Sequence, residues 1–400
     1  MAVVLGLLVS GCGHHDHPGT PVGTGTIVIE QTPDEVAGHW VLGGPSGTRE
    51  GAGDVTLTEM PAGEYACTWI EVQGWVTPTC VPQTLAAGAT VTFTGTYVQI
   101  PGRPAEFVLV TAGAFEMGSP EDEPGRLADP HNSGYESLHH VTLTHGLYIQ
   151  STEVTNQQYK DLAQWAFDRG YVTATSTSLS DNLDGSTQEL LDLGSGACEI
   201  AFSDSLFTCL DPDNPVVEVT WYGAAAYCDW LSLQQGLTRA YNHADWQCNG
   251  NNPYSAIGYR LSAEAEWEYA CRAGSTTAFA NGPITQLGCA PVDPNLDRIG
   301  WYCANQPSLF HTHRRVAQKN PNAWGLYDMH GNLYEWCNDW NGFYGGAETN
   351  PVGPASGGNR VIRGGCFDTG AEGCRSAHRR GLNPDASATT VGFRPVRSAD

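Results

Sequence analysis

The chain has 400 residues, 43 acidic against 19 basic, for a formal charge of −24 at pH 7. So acidic a surface repels phosphate backbones and anionic headgroups, which argues against nucleic acid as a partner and favours a cation such as calcium. The length predicts two or three units, and 48 glycines, 24 prolines and 12 tryptophans predict turn-rich, aromatic-rich units with few long helices.

Residues 1–12 carry an apolar run ending in Val9-Ser10-Gly11-Cys12, the form of a lipoprotein signal whose Cys12 would be acylated. The usual positive n-region is missing, and the run is too short to span a bilayer as a helix. The expectation is an exported chain in the cell envelope, on its periplasmic or surface side, that meets the membrane through a lipid anchor. Setting Cys12 aside, the other cysteines are even in number, as disulfides in an oxidising compartment require. Near pairs are Cys67/Cys80, Cys198/Cys209 and Cys289/Cys303. Residues 13–25, GHHDHPGTPVGTG, read as a flexible tether; His14, His15 and His17 lack a second ligand cluster nearby, so a polar linker is the simpler reading.

Residues 26–100 alternate apolar and polar positions in TIVIEQ, VTLTEM, EYACTWIEV and TVTFTGTYVQI, which predicts a small β-sandwich. Through MPAGEYACTW and LAAGATVTFTGTYV it resembles the PEGA-type modules of surface lipoproteins, and a spacer or adhesion role follows from that. Pro101–Pro104 marks a boundary. In residues 105–400, three stretches have helical character. Asn156–Gly170 has Thr155 or Asn156 as N-cap; Trp221–Gly236 follows the same logic; Ser262–Gly274 starts at Ser262, with Glu264, Glu266 and Glu268 on an exposed first turn favoured by the helix dipole. The strand LHHVTLTH places His139, His140 and His145 as packing and surface residues. His311 and His313 of HTHRR alternate, so they would share a metal on one strand face or lie in a solvated loop. No phosphate loop, Gly-x-Ser-x-Gly elbow or His-Glu-x-x-His helix occurs.

Seven segments in order resemble the formylglycine-generating enzyme (sulfatase-modifying factor) family: FVLVTAGAFEMGSPEDE, YIQSTEVTNQQY, NPVVEVTWYGAAAYCDWLS, YRLSAEAEWEYACRAG, NAWGLYDMHGNLYEWCNDW, RVIRGGCF and CRSAHR…VGFRPV. The resemblance spans nearly the whole C-terminal part. It implies an α+β fold, the family's variant of the C-type-lectin-like fold, behind a small all-β module.

It also implies calcium held by Asp328, Gly331, Leu333 and Glu335, two hard carboxylates and two backbone carbonyls in one short turn, with Tyr334 replacing a common Trp. A second calcium would fall near Asn295 and Leu296. Family oxidases act on a substrate cysteine with molecular oxygen through two Cu(I)-binding cysteines, thiolate being a soft ligand suited to Cu(I). Here Gly364-Gly365 matches the family turn, Cys366 stands at its Ser, and Thr369 stands where the first copper cysteine belongs. Two readings of Cys366 and Cys374 stay open. In one they are structural, Cys374 bonding to Cys366 or Cys337, in a domain that binds a protein, peptide or glycan partner. In the other they form a displaced catalytic pair using Cu(I). Arg363, Arg375 and Arg379 would line a substrate groove, unless they form buried ion pairs with the excess acids.

Overall fold

Alternation of apolar residues along Thr24–Thr32 buries Ile27 and Ile29 on one face, and the same period along Gly63–Trp69 buries Tyr65, Cys67 and Trp69. In this computed structural model, which describes residues 23–32, 38–70, 75–76, 78–99, 106–126, 135–305 and 312–399, these strands build a two-sheet module. Thr24–Thr32 pairs antiparallel with Val55–Pro61 and parallel with Thr90–Thr96. The facing sheet runs Gly47–Ala52, His39–Gly44, Gly63–Trp69, Gln83–Leu85, antiparallel throughout. Trp40, Leu42, Met60, Leu85, Phe93 and Tyr97 complete its core. Cys12, the three tether histidines, His311 and Pro101–Pro104 lie outside the described residues. The chain divides into two compact units between Pro101 and Gly102.

The second unit mixes short helices with small sheets. Helix α1, Asn156–Phe167, begins at Thr155, whose hydroxyl accepts the Gln158 N–H at 3.3 Å while Gln158 Oε1 accepts the Thr155 N–H at 2.9 Å. Helix α2, Trp221–Gln234, is capped by Thr220 and is buried nearly all round, its Ala224–Ala226 run allowing close approach by neighbours. Helix α3, Glu264–Arg272, does not start at Ser262. Ala263 is its cap residue, and the side chains that satisfy its first N–H groups are Glu266, at Ala263 N, and Asp339, which accepts the Glu264 N–H at 2.8 Å from 75 residues away. Among the described residues no helix is long and apolar enough to cross a membrane.

Two four-stranded sheets position the site. One orders Phe107–Val110, Leu147–Gln150, Pro395–Ser398 and Arg260–Leu261, joining the unit's beginning to its end. The other orders Arg379–Leu382, Arg360–Arg363, Tyr334–Trp340 and Val391–Gly392. Tyr334–Asn338 and Asp339 are buried on both faces, so this strand shows no alternation to read in sequence.

A hairpin region between α1 and α2 is fastened by a buried His243. Its Nδ1 lies 2.8 Å from Asp181 and its Nε2 3.1 Å from Asp229 of α2, and the ring stacks on Trp246 at 4.1 Å. With a carboxylate at each nitrogen the protonated ring can donate to both. Burial pulls its pKa down, but the hydrogen bonds and charges of the two aspartates outweigh that and raise it above the ordinary value. A raised histidine pKa stabilises the fold fully below the unfolded value of about 6.5 and less as pH rises through the folded value. The melting temperature should therefore fall as pH climbs from about 6.5 into the alkaline range, and His243→Gln should flatten that slope; superimposable pH profiles by calorimetry would refute it.

Candidate functional site

Around α3 the acids and arginines of the domain meet in pairs. Glu264, Glu266 and Glu268 are not solvated: all three are buried. Glu266 takes Arg260 in two bonds of 2.6 and 2.8 Å. Glu268 takes Arg272 and Arg363, and Glu264 takes Arg379. Arg363 also donates to the carbonyls of Ser376, Ala377 and His378, while Arg375 bonds Glu123 and Glu136. Arg363 and Arg375 are therefore not exposed to a groove: both are fully buried and paired with carboxylates and carbonyls, only Arg363 Nε lacking a hydrogen-bond partner, 3.6 Å from Glu264. Arg379 borders a narrow cleft, yet its nitrogens are held by Glu264, Tyr135 O and Gly342 O. Buried charge is tolerated here because it is paired and bidentate.

Beside this lattice lies the turn Asp328–Glu335. Asp328 adopts φ 57° and is buried; its Oδ2 accepts the Ala317 N–H at 2.7 Å, and its Oδ1 has no partner. Gly331 has φ 105°, and a Cβ there would fall 2.2 Å from Trp301 O, so glycine is required. Its N–H donates to Gly364 O at 2.8 Å, tying this turn to the Gly-Gly turn. Glu335 accepts Arg394 at both oxygens, each 2.7 Å, and Trp267 Nε1 at 2.8 Å.

Sequence reasoning missed a third carboxylate. Glu153, fully buried, accepts the Leu333 N–H at 3.1 Å and Asn332 Nδ2 at 2.8 Å. It stands in the polar stretch Gln150–Gln158, where nothing local sets it apart from a solvated acid. Burial, then the charges of Asp328 and Glu335, push its pKa well up, and burial lifts Asp328 to about 6. Three carboxylates thus share one guanidinium, Arg394. Among the described residues no group of three or more His, Cys, Asp or Glu side chains is arranged to hold a metal ion, so a cation here needs backbone carbonyls as well. At the second position, Asn295 O already accepts Asn281 Nδ2 at 2.8 Å.

The Gly364-Gly365 turn follows the strand Arg360–Arg363, with φ 97° and 77°. A Cβ on Gly365 would meet Cys374 Sγ at 2.6 Å. Thr369 stands between the two thiols: its hydroxyl accepts the Cys366 N–H at 3.0 Å, donates to Cys366 O at 2.9 Å, and lies 3.5 Å from Cys374 Sγ. Both cysteines are buried and free, as is Cys337. Burial pushes the thiols up, Cys366 to about 11 and Cys374 to about 12. Behind them His330 donates from Nδ1 to Cys374 O at 2.9 Å and accepts the Ala280 N–H at Nε2, with burial taking its pKa down to about 4. Of the near cysteine pairs, Cys289–Cys303 is a disulfide, and Cys67, Cys80, Cys198 and Cys209 are thiols.

Next to Cys366 opens a cleft of about 530 Å³ walled by Cys198, Glu199, His313, Phe367, Asp368 and Thr390. His313 is buried, 3.4 Å from Glu199, with Nε2 lacking a hydrogen-bond partner. His139 is likewise buried and packs against Tyr344, the ring centroids 4.6 Å apart and tilted by 45°, while His140 is at the surface with Glu116.

Comparison with known proteins gives this arrangement its class. The solved structure of PvdO from Pseudomonas aeruginosa is similar with a TM-score of 0.52 and 26% identity, over 73% of this chain and 94% of that one. The fold is thus the α+β formylglycine-generating-enzyme variant of the C-type-lectin-like fold, with the all-β module before it. The Sulfatase-modifying factor enzyme 1-like domain matches residues 96–399, and the chain belongs to that family. A formylglycine-generating enzyme from Bos taurus is 28% identical over 328 residues, 74% of this chain and 75% of that protein. The serine/threonine-protein kinase pkn1 of Chlamydia pneumoniae is 30% identical over 303 residues, 73% of this chain; the match spans only 38% of the kinase.

Removing one member of the buried lattice strands the other charge. Glu268→Ala should lower the unfolding free energy by about 3–5 kcal/mol, measured by urea denaturation, whereas Glu121→Ala, at an exposed position, should change it by less than about 0.5 kcal/mol. Equal small effects would show that the lattice contributes nothing specific.

Proposed function

We propose that the domain is a binding or accessory module, exported through the Cys12 signal, that receives a protein or peptide segment in the cleft beside Cys366 and does not carry out the family's copper-dependent cysteine oxidation. The observation that carries this reading is Thr369. By the family resemblance a hydroxyl takes the place of the first copper thiolate, and it is hydrogen-bonded to the backbone of Cys366. A hydroxyl is a hard ligand poorly suited to Cu(I), which prefers thiolate. The cleft supports recognition: it is of ligand size, acidic through Glu199 and Asp368, and apolar at Phe367.

The alternative, an oxidase of the formylglycine-generating type acting on a partner's cysteine, is favoured by one fact, that Cys366 and Cys374 both lie against Thr369. Competition for Cu(I) with a chromogenic chelator distinguishes the two. The expected result is no copper retained by the reduced protein; stoichiometric retention lost in Cys366→Ser, with oxygen consumption on a cysteine peptide, would overturn the binding reading.

Calcium is part of the proposal. Asp328 Oδ1 is buried without a partner, three carboxylates face one arginine, and Glu335 accepts three hydrogen bonds out of the four or so a carboxylate can take. Asp328 and Glu335 with the carbonyls of Gly331 and Leu333 would hold the ion, whose role is to neutralise these acids and tie the two turns together. Chelation should lower the melting temperature by several degrees, and Asp328→Ala should abolish that response. A melting curve indifferent to chelator, with no calcium by elemental analysis, would exclude the ion.

A further inference from the structure

The N-terminal sandwich carries two cysteines for which the proposed function has no use. The strand Gly63–Trp69 is paired on one side along His39–Gly44, but on the other its ladder to Gln83–Leu85 ends at Tyr65. At Cys67 the outward N–H has no strand to bond. Cys80 takes that place: its Sγ lies 3.2 Å from the Cys67 nitrogen, and its S–H is directed to Val81 O at 3.6 Å. Cys67 is 2% exposed in the module's core, and Cys80 is half-buried at the edge. Among the described cysteines, Cys198 and Cys209 show no such approach: their sulfurs contact Ile200 O and Gln157 Oε1 respectively.

We infer that Cys67 and Cys80 are a disulfide-forming pair that closes the sandwich edge when the chain meets a disulfide oxidant, a small-molecule or protein disulfide. The accessible Cys80 reacts first: its thiolate attacks the oxidant RSSR, forming the Cys80–S–SR bond and releasing RS⁻, which takes up a proton as RSH. Cys67 then attacks Cys80 Sγ, the Cys67–Cys80 bond forms, and the second RSH leaves. The pair loses two electrons and two protons, and RSSR gains them. Cys67 is suited to the second step alone. Burial, and then the charge of Cys80, push its thiol up to about 12, and the mixed disulfide removes the second of these causes. The bond would close a loop of 13 residues' separation across a core of modest size, where a covalent tie has most effect.

The test uses the full chain. Protein reduced and then incubated with oxidised glutathione is alkylated, digested and mapped by mass spectrometry, with Cys289–Cys303 as internal control. A linked Cys67–Cys80 peptide is expected, with the melting temperature of the sandwich raised by about 5 °C or more over the reduced protein and no such rise in Cys80→Ser. The inference is overturned if both cysteines remain alkylated while Cys289–Cys303 re-forms. It is equally overturned by a lasting glutathione adduct on Cys80 or by Cys67 linked elsewhere. The wild-type map decides the matter even if the variant does not fold.

Discussion

Everything in the larger unit depends on the pairing of α3 carboxylates with arginines from the C-terminal sheet. Glu264 and Glu268 project from one helix into the strands that carry Arg363 and Arg379; Arg363 also holds the carbonyls of Ser376, Ala377 and His378, and Arg379 those of Tyr135 and Gly342. A domain with so much irregular backbone lacks the continuous ladders that stabilise ordinary sheets. Charged hydrogen bonds, each strong because it is shielded from water, fix its loops instead. The same pairing consumes cationic groups that would otherwise be free to bind a ligand.

The site follows from that frame. Strand Tyr334–Trp340 places Glu335 against Arg394, and the neighbouring strand ends in the Gly364-Gly365 turn that receives the Gly331 N–H. The acid-rich turn and the thiol-bearing turn are thus one mechanical unit, and a cation bound at the first would stiffen the second. What the second turn presents is the Thr369 hydroxyl between two buried thiols, Cys366 and Cys374.

Much of this was legible in the chain. The sandwich strands announced themselves by alternation, α1 by its apolar face and an N-cap candidate at Thr155 or Asn156, and the family by seven ordered segments. Other features were not. The three alternating glutamates of α3 look like a solvated first turn, since helix-dipole logic accounts for them without partners; their arginines lie up to 115 residues away. The cap of the same helix was misread at Ser262 because Asp339, a residue of a distant strand, supplies the acceptor. Glu153 escaped notice for the same reason: a single acid in a polar stretch acquires meaning only when Asp328 and Glu335 are brought beside it.

The sequence by itself determined the family, the boundary between two units and the elements with a clear period. These are local or ordered properties, written in spacing. Only the tertiary structure decided which charges are buried, which cysteines approach one another and where an uncompensated carboxylate oxygen remains. Burial and pairing depend on contacts across 100 residues or more, and no local pattern encodes them.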